Sequence, residues 1–362
     1  MTETTDKPEG TEETTHAPSD ERVREVGFLA RVAGKPAVGA ILAVIIVWAL
    51  FAVVAFDNNF VSMATTAAIL NRAAPLGILA VAVALLMIGG EFDLSIGSVL
   101  GFSGMALMVM VSPSAAGGLA LPLLPALIIT LMLAVVAGVA NGALVQSTKL
   151  PSFIITLAGL FIFRGLAIAI PRTMTNRTQL GGFDEIPGSE TITSLIGSSI
   201  NIGGANFDVA ILWWALFVVV GAFVLTRTRA GNWIFGVGGD QEASRNVGVP
   251  VTGLKIALFV CTAFAGFFVA MAQVADTGTA DSLRGTLIEL QAIIAAVVGG
   301  VLLTGGYGSV VGAALGALVF SMVQQGIIVT GIDGDWFQVF VGGILILAVI
   351  FNNAVRQRAQ RR

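Results

Sequence analysis

The sequence is short of charge. Only 11% of its 362 residues are Asp, Glu, Lys or Arg, where a soluble domain has about a quarter. Thirteen of these 41 charges lie in the first 35 residues and four in the last seven, which leaves 24 over the 320 between. A stretch so poor in charge cannot present a solvated surface, so lipid must be its solvent. Cysteine is nearly absent: Cys261 stands alone in an apolar run, which excludes a disulfide framework and a cysteine metal site. Histidine is equally scarce. His16, in a polar tail, is the only one, which excludes a Ser-His-Asp triad or a histidine-bound metal in the apolar body. A net charge of −3 without a basic stripe argues against nucleic acid as a partner. No secretory signal opens the chain; Thr2 to Asp20 is rich in Thr, Glu and Pro and reads as disordered.

Hydrophobic residues make up 56% of the chain, and 44 glycines add to them. They gather into ten apolar segments: Ala37–Phe56, Pro75–Gly90, Leu94–Ser112, Leu123–Val145, Phe153–Ile170, Val209–Thr226, Ile256–Val274, Leu290–Leu303, Val310–Thr330 and Trp336–Phe351. Most approach the roughly 20 residues that cross a bilayer. The second and eighth are short and flanked by glycine, as broken or re-entrant segments are. The runs do not alternate as barrel strands do. The fold class is therefore all-α, a polytopic helical bundle of about ten spans. With the amino terminus in the cytoplasm, fourteen Lys and Arg fall inside and four outside. This bias places both termini in the cytoplasm. The organisation is a tail over 1–35, a membrane domain over 36–352 with a cytoplasmic loop at 227–255, and a basic tail over 353–362.

Small residues four apart, at Gly97 and Gly101 and again at Gly308, Gly312 and Gly316, let helices approach closely, within the bundle or across a homodimer seam. The stretch from Gly89 to Val99 also resembles that from Gly299 to Val310, with one residue inserted. Both double glycines close an apolar run and both Gly-Ser pairs open the next. Interrupted helices in matching positions point toward a translocation path.

Few polar groups enter the spans. Glu91 and Asp93 are the only carboxylates between adjoining apolar runs, and such groups normally face protein, water or a cation. Asp93 either lines a path or caps a helix beginning at Leu94 through the amide of Ile96. Glu91 is expected to face solvent. Arg164, the one basic residue inside a span, either snorkels, pairs with a carboxylate or meets cargo. Amides such as Asn141 and Gln291 suit uncharged hydroxylated cargo or ordinary interhelical bonds. Asp93, Ser95, Asn141, Arg164 and Gln291 are the path candidates, and no metal site is expected.

The cytoplasmic loop carries the sharpest local pattern. Gly239 is followed by Asp240 as an N-cap, Gln241 and Glu242 in a first turn, Ala243, Ser244, Arg245, and Gly248 as a stop. These predict a helix of about two turns, too short to stand alone. It must dock on its own bundle or on another protein. Glu242-Ala243-Ser244, three residues, then Gly248 is similar to the Glu-Ala-Ala…Gly core of the coupling loop in ABC importer permeases. The downstream Ile-x-Leu-Pro of that loop is absent. Gly89-Gly90-Glu91-Phe92-Asp93-Leu94-Ser95-Ile96-Gly97-Ser98 resembles the Gly-Gly-Ile-Asp-Leu-Ser-Val-Gly-Ser motif of ribose/xylose-type sugar permeases. Leu150-Pro151-Ser152-Phe153-Ile154-Ile155-Thr156-Leu157, Phe163-Arg164-Gly165-Leu166 and Glu289-Leu290-Gln291-Ala292-Ile293-Ile294-Ala295-Ala296-Val297-Val298-Gly299-Gly300 resemble three further motifs of that family. The departures are Glu91, where the family commonly has no acid, and Gln291, where Asp is frequent.

This resemblance implies a permease of a bacterial inner membrane that imports a monosaccharide. No Gly-x-x-x-x-Gly-Lys-Ser/Thr phosphate cradle occurs, so ATP and Mg would sit on a partner ATPase gripping Gly239 to Gly248, and this chain would bind no cofactor. An extracytoplasmic sugar-binding protein and a second permease copy are the other implied partners. The rival cargoes are a nucleoside, a furanone signal or a branched-chain amino acid. An ion-coupled secondary transporter is the rival mechanism.

Overall fold

The computed structural model describes residues 36–344, with 2, 346, 347 and 350. Apart from residue 2, the tails expected over 1–35 and 353–362 lie outside the described residues. Along the chain come α1 (Pro36–Val54), α2 (Met63–Ile88), α3 (Ile96–Val111), α4 (Leu123–Thr148) and α5 (Ser152–Thr175). Short strands β1 (Gln179–Gly181), β2 (Ser199–Ile202) and β3 (Ala205–Asp208) follow. Next are α6 (Ala210–Arg227), α7 (Arg229–Gly239), α8 (Gln241–Asn246), α9 (Val251–Thr277), β4 (Thr279–Asp281), α10 (Ile288–Val298) and α11 (Val310–Val329).

Six helices, α2, α4, α5, α6, α9 and α11, are long and apolar enough to cross a membrane. Helix α1 is also apolar throughout, whereas α3 and α10 have 16 and 11 residues, or about 24 and 16 Å of rise. Nine of the ten expected spans thus correspond to helices. The tenth is helical over 337–344, and part of its expected range lies outside the described residues. The all-α expectation needs one addition: β1 pairs with β4 and β2 with β3 as two antiparallel ribbons.

Helices α2, α9 and α11 are mostly enclosed, while α4, α5 and α6 turn Met132, Val136, Phe161, Ile162, Val219 and Phe223 outward. An apolar exterior of this kind is what lipid contact requires. Close approach inside the bundle rests on small residues. Gly138 and Gly142 of α4 leave room for the backbone of α9 at Val260 and Ile256, and Gly312 and Gly316 of α11 for the carbonyls of Gly299 and Ala295. The second glycine series therefore packs within the chain. The first does something else: Gly97 and Gly101 face the loop before α10, where a Cβ would overlap Glu289 and the Gly285 carbonyl or press on that of Arg284.

Two spans have other bounds than expected. Helix α2 begins twelve residues before Pro75 and carries that proline inside it. Ser62 caps it, accepting from the Thr65 amide at 3.1 Å. Asn71, which interrupts the apolar run, is paired to β3 through the Asn206 carbonyl and the Asp208 amide, both at 2.9 Å. The second span is therefore long. The eighth is short, since α10 stops at Gly299.

The resemblance between the two glycine-flanked breaks is geometric as well. After α2, the Gly90 amide bonds to Met87 O and the Glu91 amide to Leu86 O; after α10, Gly300 bonds to Val297 O and Val301 to Ala296 O. Both are the same Schellman closure. Gly90 and Gly300 take φ of 83° and 90°, a region that disfavours other side chains.

Candidate coupling site and the polar cluster behind it

Helix α8 forms where the local pattern demands it. Asp240 Oδ1 accepts from the Ala243 amide at 2.9 Å, and Gly248, at φ 87°, closes the far end with its amide on Arg245 O at 3.0 Å. Preceding it, α7 was not expected, and it carries the loop back to the bundle. Ser244 is buried on the inner face, while Glu242, Ala243, Arg245 and Val247 are exposed. Val247, an apolar residue at the tip, is 80% exposed.

The base of this loop meets both helix breaks backbone to backbone. Gly305 lies over Gly90 and Gly238, Gly306 over Gly239, and the Gly306 amide donates to Ile88 O at 2.8 Å. Beside that junction lies Lys255, in the second turn of α9 and 4% exposed. Its Nζ donates to Glu91 Oε1 and to Gln241 Oε1, each at 2.5 Å. Glu91 is therefore not solvent-facing: it is buried and forms the only ion pair among the described residues.

From Glu91 to Ser95 the chain is irregular, with a bend at Leu94 and Ser95 already in the helical region, and its polar groups are met by neighbouring helices. The Phe92 amide donates to Ser152 Oγ at 3.0 Å and the Leu94 amide to Thr156 Oγ1 at 3.1 Å. Asp93 does not cap through Ile96, because α3 starts at Ile96 and not at Leu94. Its Oδ1 instead accepts from the Ser95 amide at 2.8 Å and the Ser95 hydroxyl at 2.6 Å. Its Oδ2 accepts from Thr262 Oγ1 at 2.5 Å. Asn141 Nδ2 donates to Ser95 Oγ at 2.8 Å. Asp93, Ser95 and Asn141 are thus brought together, fully enclosed.

Arg164 stands apart from that cluster. Its Nη1 donates to the carbonyls of Ser282 at 2.8 Å and Arg284 at 3.0 Å, fastening the loop that leads into α10. It neither snorkels nor forms an ion pair. Gln291 lies half-buried in the first turn of α10, and Glu289 beside it is buried with Oε2 unpartnered. Arg164→Met is expected to destabilise the protein by about 2–4 kcal/mol, since two part-buried carbonyls lose a charged donor. Arg164→Lys should recover part of that. Thermal unfolding in detergent reads both, and equal loss in the two variants would contradict this role.

Residues 65–349 match the family model described as branched-chain amino acid transport system / permease component. The chain belongs to this permease family. It is 31% identical to the xylose transport system permease protein XylH of Escherichia coli (strain K12), over 88% of this chain and 92% of that one. To the fructose import permease protein FrcC of Rhizobium meliloti it is 28% identical, over 84% and 82%. To the fructose import permease protein FruG of Bifidobacterium longum it is 27% identical, over 77% and 79%. No solved structure matches. The permease is a multi-pass inner-membrane transport subunit.

Its motifs now have a physical reading. Ser152 and Thr156, from the Leu-Pro-Ser-Phe-Ile-Ile-Thr-Leu stretch, hold the break that follows the first double glycine. Gly97 of that first motif admits Glu289 of the last. Sequence reasoning missed Lys255 and Thr262 as site residues. For Lys255 there was one signal, a lysine near a helix start, where the dipole disfavours a cation.

Proposed function

We propose that this permease is the membrane subunit of an ATP-driven importer of a monosaccharide, with α8 as the handle gripped by a separate ATPase. The observation that carries the reading is α8 itself. It is capped at both ends and packed by the buried Ser244 beside Gly236 of α7, yet it leaves Glu242, Ala243, Arg245 and Val247 uncovered. A helix of six residues has no stability of its own, so a uniquely held and outward-facing one suits a docking role. ATP and Mg belong to the partner chain. An extracytoplasmic sugar-binding protein and a second permease copy complete the assembly. The xylose and fructose permeases among the relatives support a monosaccharide as cargo.

Deleting residues 240–247 is expected to abolish uptake of xylose and fructose while the protein still inserts and folds. Membrane fractionation and uptake of the labelled sugars measure this, with leucine as a control for an amino acid cargo. Sugar uptake that survives the deletion would sink the coupling reading.

A further inference from the structure

We infer that Lys255 is a positioning residue that ties the coupling helix to the membrane interior, so that displacement of α8 moves the chain break between α2 and α3. The inference rests on the coupling role of α8 proposed above. Three observations carry it. First, the ammonium sits where it is least welcome. It is buried, and it lies in the second turn of α9, whose amino-terminal dipole opposes a cation. Glu91 and Gln241 offset that penalty. Second, these two partners lie on opposite sides of the junction. Gln241 is in the first turn of α8, and Glu91 is the first residue after the Gly89-Gly90 closure. Third, the segment that Glu91 opens is stiff. Amides of Phe92 and Leu94 are held by Ser152 and Thr156, and Asp93 holds Ser95 immediately before α3. A pull on Gln241 therefore reaches Ile96 through short polar contacts.

A purely structural pair would behave differently. Buried ion pairs are often replaceable by apolar residues without loss of stability. The decisive variant is therefore Glu91→Met combined with Lys255→Met, placed in the native gene, with the assembled complex purified from membranes and reconstituted. Sugar moved per ATP hydrolysed is the readout, with labelled xylose and fructose as probes. The ATPase should co-purify as with wild type and hydrolyse ATP, while transport per ATP falls about tenfold. An unchanged ratio would overturn the inference, because simple damage lowers hydrolysis and transport together. Should the double variant fail to assemble, Gln241→Ala decides, since it removes only the outer contact of a half-buried residue. A several-fold drop in the same ratio supports the link, and a wild-type ratio overturns it. If no ATPase accompanies the wild-type protein, the coupling reading itself fails, and that result is distinct from either variant's.

Discussion

Replacing Gly238 with alanine is expected to abolish ATP-driven uptake while leaving the permease in the membrane. Gly238 is the second-last residue of α7, just before α8, and its α-carbon faces the closure of α2. A Cβ there would overlap the carbonyl oxygen of Ile88 and lie 2.6 Å from the Gly306 amide nitrogen. Both neighbours are backbone, and they are bonded to each other at 2.8 Å, so neither can swing aside as a side chain would. The methyl group must either break that bond or lift α7 off the junction. Overpacking of this kind costs about 1–3 kcal/mol, which the bundle as a whole can absorb. Coupling is far less tolerant, because misplacement by about 1 Å can lower a rate roughly a hundredfold. Gly253→Ala, in the first turn of α9 and outside the gripped segment, is the control: nothing lies within 4 Å of its Cβ position, so uptake should stay near wild type. Matched membrane levels with lost uptake only in Gly238→Ala would bear this out. Normal uptake by that variant would show that the junction is free to open.

The loop that carries α7 and α8 touches two breaks at once, where the internal echo of the sequence is also an echo of geometry. The same Schellman closure ends α2 at Gly89-Gly90 and α10 at Gly299-Gly300, and Gly305 packs over Gly90 and Gly238 together. The two breaks differ in how they are held. Only the first carries an acid paired to the loop's own anchor, Glu91 on Lys255. In the second, the chain folds over itself as the Leu302 amide bonds to Tyr307 O at 3.1 Å.

What the sequence disclosed depended on range. Spans were legible because lipid leaves the backbone little choice, and α8 was legible because Asp240 and Gly248 act within a few residues. The edges of α2 were not, since Asn71 breaks the apolar run yet is satisfied by Asn206 and Asp208, well over a hundred residues away. Glu91 was misread for the same reason: its partner lies 164 residues along the chain. Arg164 gave no hint of its target, because it binds carbonyls, which every residue has. The polar cluster was half visible. Asp93, Ser95 and Asn141 were candidates for one site, but Thr262 looked like any other threonine in an apolar helix.

That cluster decides between a path carboxylate and a structural one, and the geometry favours the second. Asp93 accepts from the Ser95 amide, the Ser95 hydroxyl and Thr262 Oγ1, all from its own chain, which leaves little for cargo. Asp93→Asn is therefore expected to keep the fold and uptake within about threefold, since no buried partner need be stranded. Its amide oxygen would retain both Ser95 donors. Its nitrogen would face Thr262 Oγ1, which can turn its proton to Phe259 O, 2.8 Å away, and accept. Asp93→Ala has no such remedy. It strands the Ser95 amide immediately before α3, a loss of about 1–3 kcal/mol, and frees the start of that helix. Uptake should then fall far more than in the asparagine variant. Adding Thr262→Val to Asp93→Asn removes the rescuing acceptor, so that double variant should approach the alanine phenotype. Detergent unfolding and sugar uptake across the series separate the cases. An asparagine variant as inactive as the alanine one, yet fully stable, would assign the negative charge itself to transport.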